Sequence, residues 1–252
     1  MTIFIPPDDI AKRKGISLSA DTSRYLSSVL RSKTGDPVTV IDGRGRAYAA
    51  VVSSLSKGVV AVDITGEIFP DTEPPVPLVL CQGILKGEKM DLVVQKTTEL
   101  GVREIVPVIS ERCLVKETRK VKRWQKIAEE AAEQCGRAVI PRIHEPVELL
   151  SVPEERGIRG LVFWEQGGML LREAFAKVKQ HCDGAGLPES GPLSPAPFYL
   201  LVGPEGGFSR EEVERAEARG LVRTTLGRRV LRAETAAIVS VALIVYLSES
   251  LQ

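Results

Sequence analysis

The 252-residue chain has few of the side chains that most often hold metals. It contains two histidines, His144 and His181, and four cysteines, Cys81, Cys113, Cys135 and Cys182, none of them in a C-x-x-C pair. That spacing argues against a zinc cage, and no metal site is assigned. Net charge is nearly absent too: 34 basic against 33 acidic side chains leave +1, so the protein is not a polycation that coats nucleic acid indiscriminately, and any anion site must be local. No apolar run reaches the roughly 20 residues of a membrane span. The longest, residues 236–247, has 12 positions and includes Ser240, which predicts a buried helix. The N-terminus, MTIFIPPDDIAKRKG, has prolines and aspartates where a signal peptide needs a basic start and an apolar stretch, so export is not expected. In a cytoplasmic protein the cysteines are reduced, small apolar side chains. No G-x-G-x-x-G follows a strand, and no glycine loop ends in Lys followed by Ser or Thr, which disfavours dinucleotide binding and triphosphate hydrolysis.

What is present suffices for a folded chain: 43% of residues are apolar, enough for one large core or two modest ones. Residues 70–77, PDTEPPVP, hold four prolines in eight positions and mark the domain boundary. Before it, residues 37–42, 47–54 and 59–64 are short β-prone runs separated by GRGR (43–46) and Ser56-Lys57-Gly58, the spacing of a small antiparallel sheet or barrel. After it, LVLCQGI (78–84), EIVPVI (104–109), GLVFW (160–164), FYLLV (198–202) and VRTTL (222–226) alternate with helical stretches, the pattern of an α/β domain with a largely parallel sheet. The expected division is 1–70, a linker 71–77, and 78–252.

Helix ends are legible. Residues 88–100 are closed by Gly101; Trp124, Ile127, Ala128, Ala131 and Cys135 fall on one helical face before Gly136; Ser209 and Glu212 form a capping box for a helix ended by Gly220. Residues 183–197 carry nine Gly, Pro or Ser in fifteen positions and read as a surface loop. From Ile10 to Lys57 nine Lys or Arg face three Asp or Glu, a local +6. Arg24, Arg31, Lys33, Arg44 and Arg46 therefore offer positive charge for phosphates, or else a solvated face.

Two stretches could carry chemistry. In FYLLVGPEGGFSREE a buried strand runs into Gly203-Pro204-Glu205-Gly206-Gly207 and a capped helix; such glycines let backbone groups face a ligand at a strand's C-terminal end, or simply make a tight turn. In LGRRVLRAETAAIVSVALIVYL a loop with Arg228, Arg229, Arg232 and Glu234 precedes an apolar helix, at whose N-terminus Glu234 and Thr235 could serve as caps.

Taken with KGEKMDLVVQKTTELGVREIVPVISERC (86–113) and RWQKIAEEAAEQCGR (123–137), the motifs LVGPEGGFSREEVE (201–214) and LGRRVLRAETAA (226–237) closely resemble the RsmE family of bacterial 16S ribosomal RNA (uracil-N3) methyltransferases, of the SPOUT class. The match covers nearly the whole chain. YLSSVLRSKTGDPVTVIDGRGRAY resembles the family's PUA-like RNA-binding domain, with Tyr25 where many members have histidine. The resemblance implies an α/β SPOUT-type domain with a C-terminal trefoil knot behind a small PUA-like β-barrel, a homodimer, and S-adenosylmethionine as cofactor. It places the cofactor on Leu201, Val202, Gly203, Pro204, Glu205, Gly206, Gly207, Leu226, Gly227, Val230, Leu231, Arg232, Thr235 and Ala236. Arg232 could stabilise a uracil anion, and Glu205 or Glu234 could accept its N3 proton. Lys86, Lys89, Lys96, Arg112 and Arg137 could join the basic residues of the first domain on RNA phosphates. The competing functions are ribose 2′-O-methylation by another SPOUT enzyme and a non-catalytic RNA-binding ribosome assembly factor.

Overall fold

The computed structural model describes residues 1–56, 58–149, 158–183 and 196–250. Of the glycine- and proline-rich stretch expected as a surface loop, residues 184–195 lie outside the described residues, as do Lys57 and the side chain of Cys182. The chain divides into two compact units, Met1–Glu73 with Glu129–Ile140, and Pro74–Ala128 with Pro141–Gln252. The division falls inside the proline-rich segment, and it assigns residues 129–140 to the first unit.

The first unit contains β1 (Thr2–Phe4), α1 (Pro7–Ile10), β2 (Ile16–Ser17), α2 (Ala20–Arg24), a π-helical turn at Tyr25–Val29, β3 (Pro37–Ile41), β4 (Ala47–Ser56) and β5 (Val59–Ile68). The sheet order is β1-β3-β4-β5-β2, parallel only between β1 and β3. Register shifts between Ala49 and Ala50 and between Val52 and Ser54 bend the long β4–β5 ladder, as bulges do, and curl the sheet around Ile3, Leu26, Val40, Val52 and Val62. The GRGR turn is tied by Asp42, whose Oδ1 accepts the N–H groups of Arg44 and Arg46 at 2.7 and 3.0 Å.

The second unit contains β6 (Leu78–Gly83), α3 (Lys89–Glu99), β7 (Glu104–Ile109), α4 (Val121–Cys135, its last turns in the first unit), β8 (Arg142–Ile143), β9 (Val147–Glu148), β10 (Arg159–Phe163), β11 (Met169–Leu170), α5 (Leu171–Asp183), β12 (Phe198–Val202), α6 (Arg210–Ala218), β13 (Val222–Thr225) and α7 (Ala233–Glu249). Its eight-stranded sheet runs β11-β13-β10-β12-β6-β7-β8, with β9 also on β7, and every pairing is parallel. Successive strand residues point to opposite faces. Thus Leu78 and Leu80 of β6 and Phe198, Leu200 and Val202 of β12 join one core with α3, α5 and α7, whereas Val79, Cys81 and Leu201 join the other with α6. Buried on both faces, the strands read as continuous apolar runs.

Two local expectations are revised. α7 buries only one face, through Ala237, Ser240, Val241, Ile244 and Ser248, while Leu243 and Tyr246 are exposed. Cys135 is exposed, and Ala132 takes its expected place in the core. The capping box forms as read: Ser209 Oγ accepts from Glu212 N–H, and Glu212 Oε2 accepts from Ser209 N–H at 2.9 Å.

Candidate active site

The C-terminal ends of three adjacent strands, β13, β10 and β12, open onto a cavity of about 350 Å³, a volume in the small-molecule range. The segments following those strands supply its walls: Leu226-Gly227 and Arg229 to Leu231 after β13, Trp164-Glu165 after β10 and Gly203 to Phe208 after β12, closed by the start of α7. The GPEGG loop and the loop that opens at Leu226 therefore meet in space although α6 and β13 lie between them in the chain.

The loop after β12 is held closely. Gln82, fully buried on β6, donates through Nε2 to the carbonyls of Gly83 and Gly203, at 2.9 and 3.1 Å. Gly207 has φ +67°, which favours glycine, and a Cβ there would stand 3.0 Å from the Glu165 carboxylate. Arg112 Nη1 donates to Gly206 O at 3.3 Å. Gly227 (φ +110°) has nothing within 4 Å of where its Cβ would be, so the second loop leaves open space.

Lys89 carries the electrostatics. Its Nζ lies 3.1 Å from Glu205 Oε1 and 3.9 Å from Glu234 Oε2. Burial works to raise the Glu205 pKa, but the N–H groups of Lys86 and of Glu205 itself, together with Lys89, outweigh it and hold the carboxyl below its usual range. Glu205 is thus an anchored carboxylate and a weak proton acceptor. Glu205 Oε2, the oxygen turned away from Lys89, and Glu234 Oε2, which faces Lys89 beyond hydrogen-bond distance, are both buried without a hydrogen-bond partner among the described residues.

Of the expected cofactor residues, twelve line the cavity: Val202, Gly203, Pro204, Glu205, Gly206, Gly207, Leu226, Gly227, Val230, Leu231, Arg232 and Ala236. Leu201 and Thr235 do not. Leu201 points to the opposite face of the sheet, as alternation along β12 requires, and Thr235 is exposed on the outer side of α7's first turn. Glu234 does not cap α7; Arg232 is the N-cap, without a side-chain capping bond, and the Glu234 carboxylate turns into the cavity.

The expected phosphate contacts sort differently. Arg24, Arg31, Lys33, Arg44 and Arg46 are exposed in the first unit, and Lys86 is exposed in the second. Lys89 lines the cavity, Lys96 is paired with Glu99 at 2.8 Å, and Arg112 braces the Gly206 carbonyl. Arg137 is 3% exposed and forks onto both carboxylate oxygens of Glu73, so it is a structural ion pair out of reach of RNA. Sequence reasoning missed Phe163, Trp164 and Glu165 as lining residues. The strand GLVF ending at Trp164-Glu165-Gln166-Gly167-Gly168 carried the same signal as the GPEGG strand, an apolar run closing on a glycine pair.

Residues 72–245 match the RNA methyltransferase domain family, and residues 18–65 match the RNA methyltransferase PUA domain. Ribosomal RNA small subunit methyltransferase E of Synechocystis sp. is 31% identical, over 98% of this chain and 78% of the relative. The protein of the same name from Bacillus subtilis is 28% identical over 99% and 97%. The structure of ribosomal RNA small subunit methyltransferase E from Neisseria gonorrhoeae bound to S-adenosyl methionine superposes with a TM-score of 0.81 at 29% identity, covering 98% of this chain and 97% of that one. A Legionella pneumophila protein in complex with the cofactor SAM gives 0.79 at 32%, covering 99% and 97%. With its domain match across most of the length and a relative above 30% identity along nearly all of it, the chain belongs to the ribosomal RNA small subunit methyltransferase E family.

Proposed function

We propose that this protein methylates N3 of a specific uridine in the 16S ribosomal RNA of the small subunit, using S-adenosylmethionine, as a cytoplasmic homodimer. The observation that carries the reading is the single cavity built jointly by the GPEGG loop and the LGRRVLRAETAA loop at the ends of three parallel strands. Its residues fit the cofactor: two buried carboxylate oxygens, on Glu205 and Glu234, that accept no hydrogen bond among the described residues suit a ligand that offers hydroxyl and ammonium donors rather than a polyphosphate. We further read the second loop, with α7 packed beside α3, as part of the family's trefoil knot.

S-adenosylmethionine, when bound, supplies an electrophilic sulfonium methyl, so the chain's task is in-line positioning and no metal is needed. Lys89 holds Glu205 and neighbours Glu234, fixing two acceptors on one wall. Arg229 and Arg232, which form no ion pair among the described residues, line the same cavity and can stabilise negative charge developing on uracil O2 or O4. Glu234, less tightly bound than Glu205, is the better placed of the two acids to accept the N3 proton. N3 of a paired uracil lies inside the base pair, so the target uridine must be unpaired or flipped out. The exposed apolar face of α7, with Leu243 and Tyr246, and Leu92 on neighbouring α3, supports the homodimer.

The test is incubation with methyl-labelled cofactor and small-subunit particles, followed by nucleoside analysis. N3-methyluridine is the expected product. Only 2′-O-methylated nucleosides would assign another reaction, and cofactor binding without any modified RNA would overturn the enzymatic reading.

A further inference from the structure

The most basic part of the second unit is neither a cofactor loop nor part of the first domain. Residues 111–126 hold seven Lys or Arg (Arg112, Lys116, Arg119, Lys120, Lys122, Arg123 and Lys126) against two acids, Glu111 and Glu117, a local +5 in sixteen positions. All seven basic residues are exposed.

The tract is fastened to the cavity rim at two points. At one end Arg112 Nη1 donates to the carbonyls of Gly206 and Phe208, both cavity residues. At the other, Lys120 Nζ donates to Gly87 O at 3.0 Å, between Lys86, whose N–H is bound by Glu205, and Lys89, which lines the cavity. Between them Lys116 Nζ donates to the carbonyls of Ser110 and Glu111, at 2.8 and 3.1 Å. These partners are neutral carbonyls: they fix the cations in place without cancelling their charge. Arg123 is paired with Asp91 at 2.7 Å, whereas Arg119 and Lys122 form no ion pair among the described residues. The first turn of α4 contains no acid, so its cations oppose the helix dipole and are not there for the helix's own stability.

We propose that residues 111–126 form a phosphate-binding rim that holds the RNA backbone over the cofactor cavity, with Lys116, Arg119 and Lys122 supplying charge. The inference rests on the RNA-methylation reading and adds to it a second anchor, within the catalytic unit itself. RNA fits because regularly spaced cations on an exposed, charge-unbalanced segment complement a polyanion, and because a base presented to the cavity brings its flanking phosphates to the cavity's rim.

The test uses the full chain and its Arg119→Gln/Lys122→Gln variant, with 16S RNA binding followed against salt. Loss of two single-strand phosphate contacts should lower the slope of log K against log salt by about 1.4, weaken binding by roughly tenfold, and raise the KM for RNA, with cofactor affinity and melting temperature unchanged. Glu117→Gln should shift RNA affinity in the opposite direction. A folded double variant with the wild-type slope and KM would overturn the rim while leaving the methyltransferase reading intact. A wild-type protein that fails to methylate small-subunit RNA would overturn the reading beneath it. A double variant that loses binding to anionic lipid vesicles but not to RNA would overturn the rim in favour of a membrane surface.

Discussion

Lys89 Nζ lies 3.1 Å from Oε1 of Glu205, a residue 116 positions later in the chain, and this contact joins the first helix of the α/β unit to the GPEGG loop. Lys89→Met should weaken cofactor binding by about tenfold, the scale of one charge-assisted hydrogen bond. Isothermal calorimetry with S-adenosylmethionine checks this, and wild-type affinity would remove Lys89 from the site.

The same contact gives a pH dependence with a definite sign. Burial works to raise the pKa of Glu205, but its backbone and Lys89 partners hold it below the ordinary carboxylate value. Its stabilising contribution is therefore fully present above the unfolded value, about 4.3, and is lost as pH falls through the lower folded value. Glu205→Gln should melt below wild type at pH 7, and the gap should close on acidification. A gap that widens towards acid would contradict the assignment.

Gly206 is limited by protein, not by ligand. A Cβ there would meet Arg112 Cβ at 2.9 Å and Arg112 O at 3.2 Å. Gly206→Val should thus displace the loop and abolish measurable cofactor binding, and Arg112→Gly in the same chain should restore part of it. No rescue, with both variants folded by circular dichroism, would place the obstruction in the cavity itself.

Arg232 lines the cavity with an exposed guanidinium that pairs with neither Glu205 nor Glu234. Arg232→Ala should slow single-turnover methyl transfer by roughly 100-fold at saturating cofactor, with melting temperature and cofactor affinity nearly unchanged. Parallel losses of stability and affinity would instead make it a structural residue.

Tyr246 is 65% exposed and Leu243 39% on the outer face of α7. If that face pairs two copies of the chain, Tyr246→Asp should yield monomers by light scattering. A variant that stays dimeric at micromolar concentration would move the interface elsewhere.

Much of this architecture was legible locally. Leu78–Gly83, Phe198–Val202 and their neighbours are strands because continuous apolar runs suit a sheet covered on both faces, and the Ser209–Glu212 box sets the start of α6 through bonds between residues three apart. The two loops of the cavity were also marked by their glycines and arginines, since those residue types are tied to backbone approach and to charge. Composition and order along the chain were enough to place these features.

Which side chains face the cavity was decided only by tertiary structure. Leu201 is one position from Val202 and turns to the opposite core because a strand alternates; Lys89, read as a phosphate contact, is drawn to two carboxylates that lie far off in sequence; Arg137 is buried against Glu73 because packing brought the two together and burial requires the charge to be paired. Trp164 and Glu165 enter the site only because β10 pairs between β12 and β13, and α7 exposes Leu243 and Tyr246 only because one of its faces is taken by the sheet and α3. Local sequence fixes periodicity and caps through contacts a few residues apart, but the facing of a charge depends on partners far along the chain, 64 positions for Arg137 and Glu73 and 116 for Lys89 and Glu205, and only the folded chain brings those together.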